Sequence, residues 1–440
     1  MKVQIHTKVQ KYLTRYFSLE ANDTTIQHEV LAGVTTFLTM VYITVVNPSI
    51  LSETGMDFGA VFVATCLAAA LGSLIMGVYA NYPVALAPGM GQNAFFTYGI
   101  VLGMGHTWQS GLGAVFISGI IFMIISILSL REKIINAIPK SLKLGISAGI
   151  GFFIILIALK GSHIIVAQSS TLLTLGDLSS MSSLFTLMGF AFIVGLTARG
   201  VKGALIIGIL TITLLGWAMD LVVFEGIISL PPDIAPVLMK MDLSAALNGS
   251  MITVILTLLL VDIFDTAGTL IGVGTQANLL NSAGKLPRLQ QALLADSTAT
   301  VAGAALGTSS TTSYIESAAG IKAGGRTGLT AVVTSGLFIL CLLFAPLAQS
   351  IPSFATNAAL LFVGTTMIQS LKDLDWTDLT EYIPATLTAI MMPLSYSIAD
   401  GLGIGFMSYV AIKIASGRKD QCSLALYLIA ILFIAKFVFL

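Results

Sequence analysis

The chain has 440 residues, 56% of them hydrophobic and only 10% charged, with Lys+Arg and Asp+Glu balanced at 21 each. Soluble domains carry about 25% charged residues, so this chain cannot cover a water-facing surface and reads as a multispanning membrane protein. The apolar content excludes disorder, and the 42 Gly follow no collagen period. Zero net charge without a Lys/Arg stripe leaves no footprint for nucleic acid. Cys66, Cys341 and Cys422 are too widely spaced for a disulfide framework or a metal site.

Residues 1–30 are polar and mildly basic, lack the features of a signal peptide, and are expected to form a cytoplasmic tail. Apolar or small-residue runs follow near 31–51, 60–80, 84–101, 111–130, 144–160, 184–198, 203–221 and 250–273. They continue near 291–307, 308–321, 328–350, 356–371, 380–397, 399–415 and 423–440. The runs are continuous rather than alternating, which favours helices over barrel strands. The last one either crosses as a fifteenth span or lies at the interface. With the N-terminus in the cytoplasm and the first 14 runs alternating, every Lys and Arg except Lys160, Lys240 and Lys436 falls on the cytoplasmic side. That is the basic-residue asymmetry of a cytoplasmic face.

Gly111–Gly119 (GLGAVFISG) echoes Gly328–Gly336 (GLTAVVTSG), and Ala68–Ser73 (AAALGS) echoes Gly303–Thr308 (GAALGT). In each pair the spans are separated by seven crossings and run in opposite directions, the signature of an inverted repeat of seven plus seven.

Two runs at matching places in the halves cannot be regular helices. Tyr82–Phe96 reads YPVALAPGMGQNAFF, where Pro83, Pro88, Gly89 and Gly91 exclude helix before Pro88. Thr308–Ser313 is six consecutive hydroxyl residues that favour extended chain, with a short helix expected from Tyr314. Interrupted spans in corresponding positions point to a transporter's binding site, and their half-helix ends would aim partial charge at it.

Acids inside the lipid are expensive. Asp262 and Asp265 share one face of the eighth run, Asp296 lies in the ninth, and Glu316 at the broken tenth. All four are proton-coupling candidates, although Asp262 and Asp296 could instead brace the broken segments. Asp400 sits between two runs and reads as solvated. A carboxyl buried without a cation favours its protonated form, so it can carry a proton or grip a polar neutral solute. His28, His106 and His163 lie near span ends or outer loops without metal spacing. No metal and no cofactor other than the proton are expected.

ALAPGMGQNAFF (Ala85–Phe96), FDTAGTLIGV (Phe264–Val273) and GTSSTTSYIESAAGIKAGGRTGLTAVV (Gly307–Val333) resemble the AzgA-type purine permeases of the nucleobase–cation symporter-2 group. Leu31–Leu51 and Met391–Gly401 are similar to the same family. The resemblance implies an all-α integral membrane fold of about 14 segments in two inverted seven-span repeats, with short extended stretches in broken spans 3 and 10. It implies a core domain (31–130 and 250–350), a gate domain (131–249 and 351–415) and a C-terminal apolar segment (416–440). It further implies import of adenine, guanine or hypoxanthine by proton symport through the inner membrane. The family's substrate-contacting acids map to Asp265 and Glu316, and its facing backbone to Asn93, Ala94 and Phe95. Ser313 and Tyr314 join the candidate contacts, with Phe95 or Tyr314 stacking on the base. Leu often stands in such permeases where this chain has Gln92. Small-residue faces leave a homodimer open.

Two other readings compete. Sulfate and bicarbonate carriers share a similar fold but need an electropositive site, against the acids here. An intramembrane aspartyl protease needs a Gly-x-Gly-Asp motif, whereas Asp400 follows Ala399 and Asp265 follows Phe264.

Overall fold

The computed structural model describes residues 2–128, 138–277, 279 and 286–439. Arg131, Lys133 and Lys285, counted above on the cytoplasmic side, lie outside the described residues. Helix α1 (Lys2–Tyr16) precedes α2 (Ile26–Met40), α3 (Ile43–Ser52) and α4 (Phe58–Ile75). The chain then forms strand β1 (Leu86–Pro88), α5 (Met90–Ala94), which widens into a π-helical stretch at Phe95–Val101, and α6 (Trp108–Ile127). Next come α7 (Lys140–Gly161), a hairpin of β2 (Ile165–Gln168) and β3 (Leu172–Leu175), α8 (Met181–Ala198), α9 (Ala204–Ala218) and the short α10 (Leu243–Ala246). The second half holds α11 (Gly249–Gln276), α12 (Leu289–Leu306), β4 (Thr311–Ser313), α13 (Ser317–Lys322) and α14 (Gly328–Cys341). It closes with α15 (Ala345–Gln349), α16 (Ser353–Ile368), α17 (Leu379–Leu394), α18 (Ile398–Ala415) and α19 (Leu424–Phe439). Among the described residues, nine helical stretches are long and apolar enough to cross a bilayer, so the chain is a mostly helical, multi-pass membrane protein.

The helices pack in two groups. Helices α2, α4, α6, α11, α12 and α14 form one, and α7, α8, α9, α16, α17 and α18 the other. Lipid offers no hydrophobic drive between helices, so close backbone approach through small residues matters most. In the first group a Cβ on Gly328 would come within 1.9 Å of the Gly77 carbonyl oxygen. In the second, a Cβ on Gly145 would meet the Ala385 carbonyl oxygen at 2.5 Å.

Buried polar side chains stitch each group. The fully buried Glu29 accepts hydrogen bonds from the Arg326 N–H at 2.9 Å, the Thr330 N–H at 3.2 Å and the Thr330 hydroxyl at 2.6 Å. It thereby satisfies donors at the start of α14 that have no intrahelical partner. In the second group the fully buried Lys413 donates to Glu381 at 2.7 Å, Thr380 at 2.8 Å and Gln421 at 2.6 Å.

Two expectations are corrected here. Asp400 is not simply solvated, because Lys436 on α19 donates to it at 2.6 Å. The short helix of the tenth run begins at Ser317 rather than Tyr314. The strand pairing extends through the Tyr314 N–H, which donates to the Ala85 carbonyl at 3.0 Å, so Tyr314 is still in the ladder. The last run, left open between span and interface, forms α19, which packs on α18 with Leu426 and Phe433 buried.

Candidate functional site

The two interrupted runs meet inside the first helix group. Strands β1 and β4 pair antiparallel, with Leu86 opposite Ser313, Ala87 opposite Thr312 and Pro88 opposite Thr311. The ladder continues from the Gly89 N–H to the Ser310 carbonyl at 2.9 Å. Each extended stretch thus satisfies backbone groups that its own helix cannot, which makes such chain tolerable away from water. Side chains finish the task. Ser73 on α4 donates to the Leu86 carbonyl and accepts from its N–H, at 3.1 and 2.9 Å. Ser317 accepts from the Ala85 N–H at 3.0 Å.

The four intramembrane acids divide into two kinds. Asp296 is fully buried and accepts from Thr266 at 2.8 Å and from Ser313, on β4, at 3.0 Å. Asp262 is also fully buried and accepts from Thr300 at 3.2 Å. The same Thr300 hydroxyl donates to the Thr311 carbonyl at 2.8 Å. These two acids hold β4 through hydroxyl bridges. Asp265 and Glu316 are instead only partly buried and near enough to interact with each other electrostatically. A Cβ placed on Gly268, one turn beyond Asp265, would meet nothing within 4 Å. One placed on Gly272 would meet only the Ile315 side chain, at 3.8 Å. The face of α11 that carries Asp265, Gly268 and Gly272 is therefore open.

At the other end of α5 the space is filled. Tyr98 donates to Glu53 at 2.7 Å and meets Tyr396 edge-on, with ring centroids 6.3 Å apart. Tyr396 contacts Phe153 at 5.4 Å and lies under the Lys160 ammonium, 4.9 Å from its ring centre. Glu53 and Tyr98 belong to the first half's opening segments, Phe153 and Lys160 to α7, so this cluster joins the two helix groups.

The remaining sequence-derived candidates lie behind the acids. Asn93, Ala94, Phe95, Ser313 and Tyr314 are all buried. Asn93 accepts from Ser309. The Phe95 ring turns back on its own helix, where a Cβ on Gly99 would strike it at 2.6 Å. Tyr314 donates to the Pro88 carbonyl at 2.6 Å. Phe95 and Tyr314 thus reinforce the joint, and neither ring offers an open face.

Residues 27–404 match the model of the Xan_ur_permease family, described as a permease family. This chain belongs to that family. It is 49% identical to the putative permease MJ0326 of Methanocaldococcus jannaschii over 98% of this chain and 99% of that one. It is 48% identical to the adenine permease AdeP of Escherichia coli over 99% and 98% of the two chains. Identity to the guanine/hypoxanthine permease PbuG of Bacillus subtilis is 45%, over 97% and 99%. Among solved structures, the transmembrane domain of the cyanobacterium bicarbonate transporter BicA superposes with a TM-score of 0.63 at 14% identity, covering 89% of this chain and 97% of that one. That likeness concerns the fold alone.

In this permease the sequence reading missed one side chain at the site. Tyr42, at the junction of α2 and α3, donates to Glu316 at 2.7 Å and orients its carboxyl. Its place in the first run gave no sign of a contact 274 positions away.

Proposed function

We propose that this permease imports purine nucleobases by proton symport through the cell (inner) membrane, with its N-terminus in the cytoplasm. The observation that carries the reading is the division of the acids. Asp265 and Glu316 are only partly buried, beside the open face of α11 where two broken spans meet, while Asp262 and Asp296 are fully buried and bonded to hydroxyls that hold β4. A neutral purine presents ring N–H and amino donors that two carboxyl groups can accept. A proton on one carboxyl limits their mutual repulsion and couples the cycle. The adenine and guanine/hypoxanthine permeases among the relatives support a purine as the solute.

The first helix group is the core (31–130 and 250–350) and the second the gate (131–249 and 351–415), in fourteen spans arranged as two inverted repeats of seven. The antiparallel pairing of β1 with β4, one from each half, supports that arrangement. The core moves against the gate to expose the acids alternately to the two sides. The likeness to a bicarbonate transporter favours no anion here, because two carboxyl groups at the site would repel one.

Uptake of radiolabelled adenine into proteoliposomes tests the proposal. Unlabelled adenine, hypoxanthine or guanine should compete, sulfate should not, and a protonophore should collapse uptake. Competition by sulfate but not by purines would refute the substrate class. Uptake indifferent to the protonophore would refute the coupling.

A further inference from the structure

Several buried polar groups at the joint make no regular hydrogen bond, the Ser310 and Thr311 hydroxyls among them, and Gln92 is the one that lies beside Asp265. Gln92, in α5, is 1% exposed, and neither its amide nitrogen nor its amide oxygen has a hydrogen-bond partner. Buried side-chain amides in folded proteins are almost always paired, because water lost without replacement is costly. The amide lies beside the Asp265 carboxyl without forming a regular hydrogen bond to it. Its oxygen packs close to Gly89, where a Cβ would come within 2.0 Å of it. The residues that brace the strands are paired hydroxyls and acids, and Gln92 bonds to none of them. What would complete it is therefore a ligand edge docked on Asp265.

We propose that Gln92 is a specificity-determining residue that grips the polar edge of the purine at C6. The inference rests on the purine reading of the same site. A carboxamide carries one donor and one acceptor side by side. It pairs with a 6-aminopurine by accepting from the amino group and donating to the adjacent ring nitrogen, the bidentate pattern by which glutamine reads adenine. Turned by half a rotation about its last side-chain bond, it pairs with a 6-oxopurine by donating to O6 and accepting from N1–H. Gln92 thus admits both amino and oxo purines while selecting against a purine with nothing polar at C6. Such a ligand leaves part of the amide unpaired, and a site built to hydrogen-bond a group rejects the analogue that lacks it. The side chain is unbranched, so a change of torsion brings it to a ligand held by the neighbouring carboxyl.

The test is displacement of radiolabelled adenine from the purified full-length permease by adenine, hypoxanthine and unsubstituted purine. In the wild type, unsubstituted purine should compete at least about tenfold more weakly than the other two. In Gln92→Met, which keeps the shape, and in Gln92→Leu, that ratio should fall to within about threefold, through weaker binding of adenine and hypoxanthine. The ratio does not depend on how much protein is folded. An unchanged ratio in either variant, or equal weakening of all three ligands, overturns the role of Gln92 and leaves the purine site standing. If no purine displaces label from the wild type, the purine reading falls and this inference falls with it.

Discussion

Replacing Asp296 by alanine separates bracing from binding. The carboxyl group accepts from Thr266 and from Ser313, and both hydroxyls are buried. Each such bond to a buried, uncharged acid contributes about 0.5–1.5 kcal/mol. The two losses differ in kind. Thr266 has a second partner in the Thr312 hydroxyl, 2.9 Å away, and can fall back on it. Among the described residues Ser313 Oγ bonds to Asp296, so removing that partner leaves its hydroxyl buried and unpaired at about 1–3 kcal/mol. The sum is about 2–4 kcal/mol, felt at the strand that carries the chain to Glu316. Thermal unfolding of the purified variant in detergent should shift down by several degrees, since about 1 kcal/mol moves the midpoint by about 2–4 °C in a domain of some 200 residues and by less in a longer chain. Asp296→Asn, which keeps one acceptor oxygen, should lose about half as much. The KM for purine of the folded fraction should stay near that of the wild type. Unfolding at the wild-type temperature together with a KM raised more than about tenfold would refute the bracing role and place Asp296 among the substrate contacts.

Glu29→Gln should lower the unfolding temperature without changing KM, because an amide nitrogen then faces the Thr330 N–H and hydroxyl that the carboxylate now accepts. The loss should be about 2 kcal/mol by chemical or thermal unfolding, and a variant as stable as wild type would show that the start of α14 is held by other means. Lys413→Met leaves Glu381 without its buried cation and should cost about 3–5 kcal/mol. Adding Glu381→Gln should recover much of that loss, and a double variant no more stable than the single one would contradict the pairing as the cause.

The paired breaks were legible because proline and a run of hydroxyls speak locally. Pro83 and Pro88 exclude regular helix, Thr308–Ser313 favours extended chain, and the strands form at Leu86–Pro88 and Thr311–Ser313. The helix positions were legible for the same reason, since each apolar run holds one of the observed helical segments. Asp265 and Glu316 could be singled out as costly acids in lipid, yet nothing local distinguished them from Asp262 and Asp296. That distinction comes from which carboxyl finds a hydroxyl on a neighbouring element, a tertiary fact. Glu29 reads as the polar edge of a span until its partners, some 300 positions on, are seen. Phe95 and Tyr314 looked like stacking platforms by residue type, but packing against Gly99 in the π-helical stretch and the Pro88 carbonyl claim them. Gln92 stood out in the sequence as a departure from the leucine of similar permeases. Its missing partners became visible in the packed structure.

The central claim is that Asp265 and Glu316 together grip the solute. Equilibrium binding of radiolabelled adenine to purified Asp265→Asn and Glu316→Gln tests it most directly. Both side chains are only partly buried, and each amide keeps an acceptor oxygen, so the variants should unfold near the wild-type temperature. Each should bind about tenfold to a hundredfold more weakly, the worth of one hydrogen bond to a charged acceptor. Wild-type affinity in the double variant would contradict the account.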